Sequence, residues 1–254
     1  MSDVKTQTPQ RLDKIIASQT SFSRSEARRL VREGRVTVDG RTARSADCKV
    51  QPGAAVVAVD GRPIRYEKHA YFMLNKPTGV LSAVREPGRL TVTDLVEQKT
   101  GRRGLFPVGR LDRDTTGLIL LTDDGDFAHR IISPNSRIEK TYRARLDGPV
   151  TPDMIRRFAR GVTLADGTAC LPAVLRRPEP DQPCLAEIRI SEGKYHQVKR
   201  MFGAVGLGVV SLERIRIGAL VLDQSLAPGD CRPLSPEEKR LALTAEQDKP
   251  KIEE

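Results

Sequence analysis

The apolar positions along the chain change period several times, and each change marks a boundary. Leu12, Ile15 and Ile16 recur at helical spacing. After a polar break a second helical stretch spans 26–33, with Ala27, Leu30 and Val31 on one face. Ser25 is placed to cap it, because its hydroxyl can accept from a free N–H of the first turn, and Gly34 is placed to end it. Val36-Thr37-Val38 then alternates into Asp39-Gly40, which supplies the positive-φ residues of a tight hairpin. A β-rich stretch continues through Val50 and Val56-Val57-Ala58-Val59. Residues 61–69 are polar with Gly and Pro, the composition of a linker.

Beyond residue 70, strand-like runs at 71–74, 118–122, 141–146 and 186–190 alternate with helical ones at 127–132, 152–160 and 196–205. Several strands follow one another as in hairpins. That order predicts an α+β fold with a mixed, largely antiparallel sheet rather than a doubly wound one. The expected organisation is a flexible N-terminus (1–9), a small α/β domain (10–60), a linker (61–69), a main domain (70–243) and a disordered charged tail (244–254).

Charge adds a partner to this outline. The 254 residues carry 43 Lys and Arg against 33 Asp and Glu, a net charge of +10. Residues 1–65 hold 13 of the basic and 7 of the acidic groups, so the small domain is the more basic per residue. Such a surface favours a polyanion, since each neutralised phosphate releases condensed counterions. The four cysteines are widely spaced, with no C-x-x-C pair, which predicts free thiols and no zinc site. No apolar run approaches the ~20 residues of a membrane span, and residues 1–9 lack the apolar core of a signal peptide. A cytoplasmic protein is expected.

Candidate chemistry concentrates in Arg110-Leu111-Asp112-Arg113-Asp114-Thr115-Thr116-Gly117. A carboxylate flanked by guanidiniums stays ionised, so it serves as a nucleophile rather than a proton donor. Asp114 on its own reads as a polar turn residue. Asp123-Asp124-Gly125-Asp126 lacks the ligand spacing of a calcium loop and reads as a tight turn. His69, His129 and His196 are too scattered for a metal site.

Two family resemblances rest on these residues. Ser-Arg-Ser-Glu-Ala-Arg-Arg-Leu-Val-Arg-Glu-Gly-Arg-Val-Thr-Val-Asp-Gly (23–40) resembles the S4 RNA-binding domain, in which two helices and a small β unit present a basic face to structured RNA. Arg24, Arg28, Arg29, Arg32 and Arg35 are the corresponding candidate phosphate contacts, positioning RNA rather than reading its bases. The run Val108-Gly109-Arg110-Leu111-Asp112-Arg113-Asp114-Thr115-Thr116-Gly117-Leu118 resembles the signature of the pseudouridine synthases, in the branch named for the small-subunit ribosomal RNA enzyme. Leu74-Asn75-Lys76-Pro77-Thr78-Gly79, Glu139-Lys140-Thr141-Tyr142 and the run from Ser191 to Met201 follow that family's order.

The resemblance implies an RNA-modifying isomerase needing neither cofactor nor metal. Asp112 is the nucleophile, attacking either ribose C1′ or base C6. Lys199 pairs with it, and Tyr142 packs on the target base and assists proton removal. Arg110 enters the RNA stack as the uridine leaves it. Lys76, His196 and Arg200 complete the RNA contacts, and Ile190 or Val198 floors the base. The implied partner is ribosomal RNA, 16S favoured, free or in a small-subunit assembly intermediate, bound by a monomer with no membrane role. The alternatives are a synthase acting on 23S ribosomal RNA and a non-catalytic S4-type assembly factor. A metal-dependent nuclease built on the acidic cluster lacks histidine support.

Overall fold

The computed structural model describes residues 8–133 and 135–245. The expectations for residues 1–7 and 246–254 lie outside the described residues. The chain divides into two compact units, one running to Ala70 and joined by Val96–Leu105, the other comprising Tyr71–Leu95 and the chain from Phe106 onward.

The first unit contains β1 (Gln10–Arg11), α1 (Leu12–Gln19), α2 (Arg24–Arg32), β2 (Val36–Val38), β3 (Arg41–Thr42), β4 (Lys49–Val50), β5 (Val57–Val59) and β6 (Arg62–Ile64). Its core forms where Leu12, Ile15 and Ile16 of α1 meet Ala27, Leu30 and Val31 of α2 above Val36, Val57 and Val59. The helical periodicity is thus the packing face. The hairpin at Asp39-Gly40 is present, with φ of 51° and 77°.

Two expectations are corrected. The cap of α2 is Ser23, not Ser25: Ser23 accepts from Glu26 N–H while the Glu26 carboxylate accepts from Ser23 N–H. Only Ser23 stands three residues before a Glu, the spacing such reciprocal capping needs. Residues 62–64 are also no linker. Asp60 and Gly61 adopt φ of 51° and 73° and turn Arg62–Ile64 back as β6 against β5, closing the antiparallel order β3-β2-β5-β6. A charged edge strand has a loop's composition, so it reads as linker until its turn is noticed.

The second unit contains β7 (Tyr71–Lys76), the start of α3 (Val92–Thr100), β8 (Phe106–Pro107), β9 (Thr116–Thr122), α4 (Gly125–Ile132), β10 (Lys140–Leu146), α5 (Pro152–Arg160), β11 (Val174–Arg176), β12 (Leu185–Ile190), α6 (Gln197–Gly203), β13 (Val209–Ile217), β14 (Leu220–Val221), β15 (Cys231–Pro233) and α7 (Pro236–Ala242). The sheet order is β11-β12-β10-β13-β9-β7-β15, with β14 on β13 and β8 on β9. Each pairing is antiparallel except β9 with β13. This is a mixed, largely antiparallel α+β fold.

That parallel seam is the organising feature. Gly117 lies opposite Arg214 there, and a Cβ on Gly117 would stand 2.4 Å from the Arg214 carbonyl oxygen. Only glycine permits such an approach, and its φ of +94° makes the same demand. On one side of the seam α5 and α6 pack Phe158 and Phe202, ring centroids 5.1 Å apart, onto Ala144, Ala186 and Ile188. On the other, α4 and α7 cover Met73, Leu118 and Leu120. Residue 244, expected to begin the tail, is anchored instead: Ala219 N–H donates to the Thr244 carbonyl at 3.0 Å. Among the described residues no helix is long and apolar enough to cross a membrane, and no group of three or more His, Cys, Asp or Glu is placed to hold a metal.

Candidate active site

Asp112 sits in the loop that leads into β9 at the parallel seam, and the loop is fixed through its backbone on both sides. Before Asp112, the buried Ser82 hydroxyl donates to the Leu111 carbonyl (2.9 Å) and accepts from Leu111 N–H (3.0 Å). After it, Thr115 N–H donates to the Asp112 carbonyl at 3.1 Å and Gly79 N–H to the Arg113 carbonyl at 2.8 Å. Beneath the loop the Lys76 ammonium donates to the carbonyls of Pro77, Arg113 and Thr115 at 3.0, 3.2 and 2.8 Å. Burial pushes the Lys76 pKa down from 10.5 to about 8, with the charges of Asp114 and Asp112 acting the other way.

Lys76 is therefore a correction. Expected to touch RNA, it is 0% exposed. The alternation of β7 points it inward, where it clamps the segments flanking Asp112 and has no access to a macromolecule.

Around Asp112 lies a cavity of about 80 Å³ lined by Arg110, Tyr142, Ile190, Lys194, His196, Val198, Lys199 and Leu212, among others. Topology explains the gathering. β13 lies between β9 and β10, so the Asp112 loop faces Tyr142 of β10 and, one strand further, Ile190 of β12. Helix α6 then delivers Val198 and Lys199. Both candidate floor residues, Ile190 and Val198, are buried against this cavity at 3% and 4% exposure. Arg110 is exposed at its edge.

The charge pattern differs from the expected pair. Lys199 Nζ donates to Asp114 Oδ1 at 2.6 Å and stands 3.7 Å from Asp112 Oδ2. The Lys199 hydrogen bond holds the Asp114 carboxyl below its usual range. Asp114, read as a mere turn residue, is thus the closer partner of the lysine; the ion pair spans 85 positions of sequence, beyond any local signal. His196 Nε2 lies 3.4 Å from Asp112 Oδ1. Its backbone is in the left-handed region at φ 48°, so the turn before α6 aims the ring at the loop.

Two residues not singled out in the sequence, Arg214 beside Tyr142 and Thr115 in the cavity lining, belong to the same region. Arg214, 3% exposed, donates from Nε to the Leu118 carbonyl at 2.8 Å and holds its guanidinium 6.0 Å from the centre of the Tyr142 ring. Thr115, also lining the cavity, is 1% exposed, and its hydroxyl has no hydrogen-bond partner among the described residues. Arg200 braces the loop: it pairs with Asp166 and donates to the Tyr195 carbonyl at 3.3 Å. A larger groove of about 480 Å³ lies on the opposite face of the sheet. Thr141, Arg143, Glu187 and Arg189 line it, the strand neighbours of the inward-facing Tyr142 and Ile188.

In the first unit a groove of about 450 Å³ is bordered by Arg28 and Arg32 and by two further arginines that sequence reasoning did not single out, Arg11 and Arg44. Arg11, Arg24 and Arg28 all converge on Asp13, which is 0% exposed, at 3.0–3.2 Å. Burial would raise the Asp13 pKa, but the bonds from the three guanidiniums outweigh it and bring it to about 2. Arg35 pairs with Asp60 and Glu33, and Arg29 approaches Glu33 at 3.7 Å.

The chain resembles known proteins over most of its length. The RNA pseudouridylate synthase family model matches residues 70–204, and the S4 domain model matches residues 10–56. The chain is 48% identical over 231 residues to the ribosomal small subunit pseudouridine synthase A of Escherichia coli (strain K12), covering 90% of this chain and 97% of that protein. It is 41% identical to the uncharacterized RNA pseudouridine synthase YtzG of Bacillus subtilis (strain 168), covering 91% and 97% of the two chains. A crystal structure of a pseudouridylate synthase matches at 37% identity with a TM-score of 0.62, covering 92% of this chain and 99% of that one.

Proposed function

Because the chain belongs to the RNA pseudouridylate synthase family, we propose that it isomerises one uridine of 16S ribosomal RNA to pseudouridine with Asp112 as nucleophile. The observation that carries this reading is the half-open cavity in which Asp112 meets Tyr142, Ile190, Val198 and Lys199. The bond from C1′ to N1 breaks, the base turns, C1′ bonds to C5, and the C5 proton is lost while N1 gains one. The product is an isomer of the substrate, so the work of the site is to hold the base and manage protons. A carboxylate can open this reaction by attack at C1′ or at C6.

Each residue has a part in that sequence. The apolar walls at Ile190 and Val198 take the uracil face, and Tyr142 covers it, steadied by Arg214. Lys199 balances the carboxylate charge near the reacting atoms without gripping it. Arg110 fills the place the uridine vacates, which lowers the cost of flipping. In the S4 domain, Arg11, Arg24, Arg28, Arg32 and Arg44, with Arg29 and Arg35 nearby, hold the phosphate backbone. The choice of 16S RNA follows the relatives named for the ribosomal small subunit. We place the protein in the cytoplasm as a monomer acting on that RNA or on a small-subunit assembly intermediate.

The test is to incubate the full chain with 16S and 23S transcripts, and with partly assembled small subunits, in the presence of chelator. Pseudouridine is mapped by carbodiimide-dependent reverse-transcription stops. One new stop in 16S RNA is expected, absent with Asp112→Asn. No stop on any substrate sinks the proposal, a stop only in 23S RNA moves the target, and near wild-type turnover by Asp112→Asn removes the nucleophile assignment.

A further inference from the structure

Tyr195 has no part in the reaction as described above, yet it is the most conspicuous apolar surface beside the cavity. It is 75% exposed, in a chain with only four tyrosines, six phenylalanines and no tryptophan. An isolated exposed apolar side chain usually needs no explanation. This one is held. Its ring stacks on the His196 imidazole with centroids 3.8 Å apart and planes 19° from parallel. His196 in turn sits 3.4 Å from Asp112.

The loop beneath the stack is built to keep it there. Glu192 accepts from Leu171 N–H at 2.8 Å and from the Gln197 amide at 2.7 Å, and the Gln197 side-chain oxygen accepts from Lys194 N–H at 2.9 Å. Arg200 holds the Tyr195 carbonyl from below. His196 adopts a left-handed backbone, with φ of 48° and ψ of 32°, a conformation that costs energy in a non-glycine residue and survives only where its surroundings enforce it. Two aromatic rings are therefore fixed in parallel. One face of the tyrosine lies against imidazole and the other is open.

We infer that Tyr195 and His196 form a stacking subsite for an RNA base adjacent to the target uridine. A uridine that enters the cavity leaves its neighbours without a stacking partner. An aromatic plane already anchored at the mouth takes one of those neighbours with little loss of side-chain freedom. Stacking on an aromatic ring tolerates any base, so the subsite contributes affinity and register rather than sequence choice. The inference rests on the proposed RNA substrate but not on turnover, since stacking precedes chemistry.

The binding test uses a single-stranded oligouridylate carrying one 2-aminopurine, whose fluorescence falls when it stacks. The full chain, Tyr195→Phe and Tyr195→Trp should quench it, and Tyr195→Ala should not. With a 16S transcript, Tyr195→Ala should raise KM by about five- to a hundredfold, the range for one base–aromatic stack, with kcat little changed. Circular dichroism shows that each variant is folded. A KM unchanged in Tyr195→Ala together with undiminished quenching overturns the subsite. A fall in kcat at unchanged KM and undiminished quenching also overturns it, by showing that the tyrosine only props His196. A chain that quenches through Tyr195 but makes no pseudouridine refutes the proposed reaction and leaves the subsite standing.

Discussion

Lys76→Met isolates the clamp under the Asp112 loop. Methionine keeps most of the stem's volume and removes the three hydrogen bonds to the Pro77, Arg113 and Thr115 carbonyls. The bond to Thr115 is wholly buried, whereas the other two are partly accessible. A dry acceptor left without a donor costs about 1–3 kcal/mol, and water replaces most of the loss at an accessible one, leaving about 0.5 kcal/mol each. The variant should therefore lose about 2–4 kcal/mol in urea unfolding at pH 7.5. Its activity should fall on the order of a hundredfold where it is still folded, because Asp112 is placed by the segments the clamp holds. The pH dependence gives an independent check. Unfolded, Lys76 keeps its proton up to about 10.5, but folded it loses it near 8. Between those values the unfolded state binds more protons, so wild-type stability rises with pH, and the methionine variant lacks that rise. The gap between the two proteins should widen by about 2 kcal/mol from pH 8 to pH 10. Lys140, which burial and then the Arg214 charge bring to about 8, is common to both proteins and cancels. A variant within 0.5 kcal/mol (roughly the noise of surface substitutions) and fully active, or a gap that stays flat with pH, refutes the clamp.

Asp114→Asn should lower activity about tenfold, because Lys199 can then close on Asp112 and commit its lone pairs, whereas Lys199→Met should lose more than about a hundredfold; equal losses in single-turnover assays would contradict this division. Asp13→Asn should destabilise the protein by about 2 kcal/mol at neutral pH. The wild-type advantage is fully present above pH 3.8 and vanishes as pH falls through the folded value of about 2. The same variant should flatten the salt dependence of RNA binding by releasing Arg11, Arg24 and Arg28 from one geometry, and an unchanged slope would exclude those arginines as a unit. Gly117→Ala should cost more than about 3 kcal/mol or abolish soluble expression, since its Cβ would press on a backbone oxygen across the seam; a stable, active variant would show that the seam can open.

Much of this was legible in the sequence, and what was not has physical causes. The Leu12, Ile15, Ile16 and Ala27, Leu30, Val31 faces name the core of the first unit because periodicity reports burial directly. The run around Asp112, with Tyr142 and Lys199, names residues that line one cavity. Strand β13 escaped because Arg214 occupies an inward position that a binary pattern reserves for an apolar side chain, and because a register shift between Thr141 and Tyr142 disturbs the alternation beside it. Helix α3 buries only Val92 and Val96 of its apolar residues and α7 only Ala242, so their apolar pattern is weak, although Ser235 with Glu238 forms a capping box that marks the second. The fate of Lys76 was out of reach: the carbonyl it binds at Thr115 lies 39 residues away, and a lysine ending a strand carries no mark of burial.

With Asp112 as the proposed nucleophile, the same arrangement explains how the site can hold a cation nearby without disabling it. A carboxylate locked at hydrogen-bond distance to an ammonium is well ordered but a poor nucleophile, because its lone pairs are committed. Here the 2.6 Å contact goes to Asp114, and Asp112 keeps the lysine at 3.7 Å. Asp112 has no need of that bond for its position, which comes from Ser82 on the Leu111 backbone and Lys76 on the carbonyls that follow. Backbone clamping and charge balancing are thereby given to different side chains. On the proposed mechanism the nucleophile is oriented before substrate arrives, and Lys199, held beside it by Asp114, balances the charge as the carboxylate bonds to the substrate and its negative charge moves to the base.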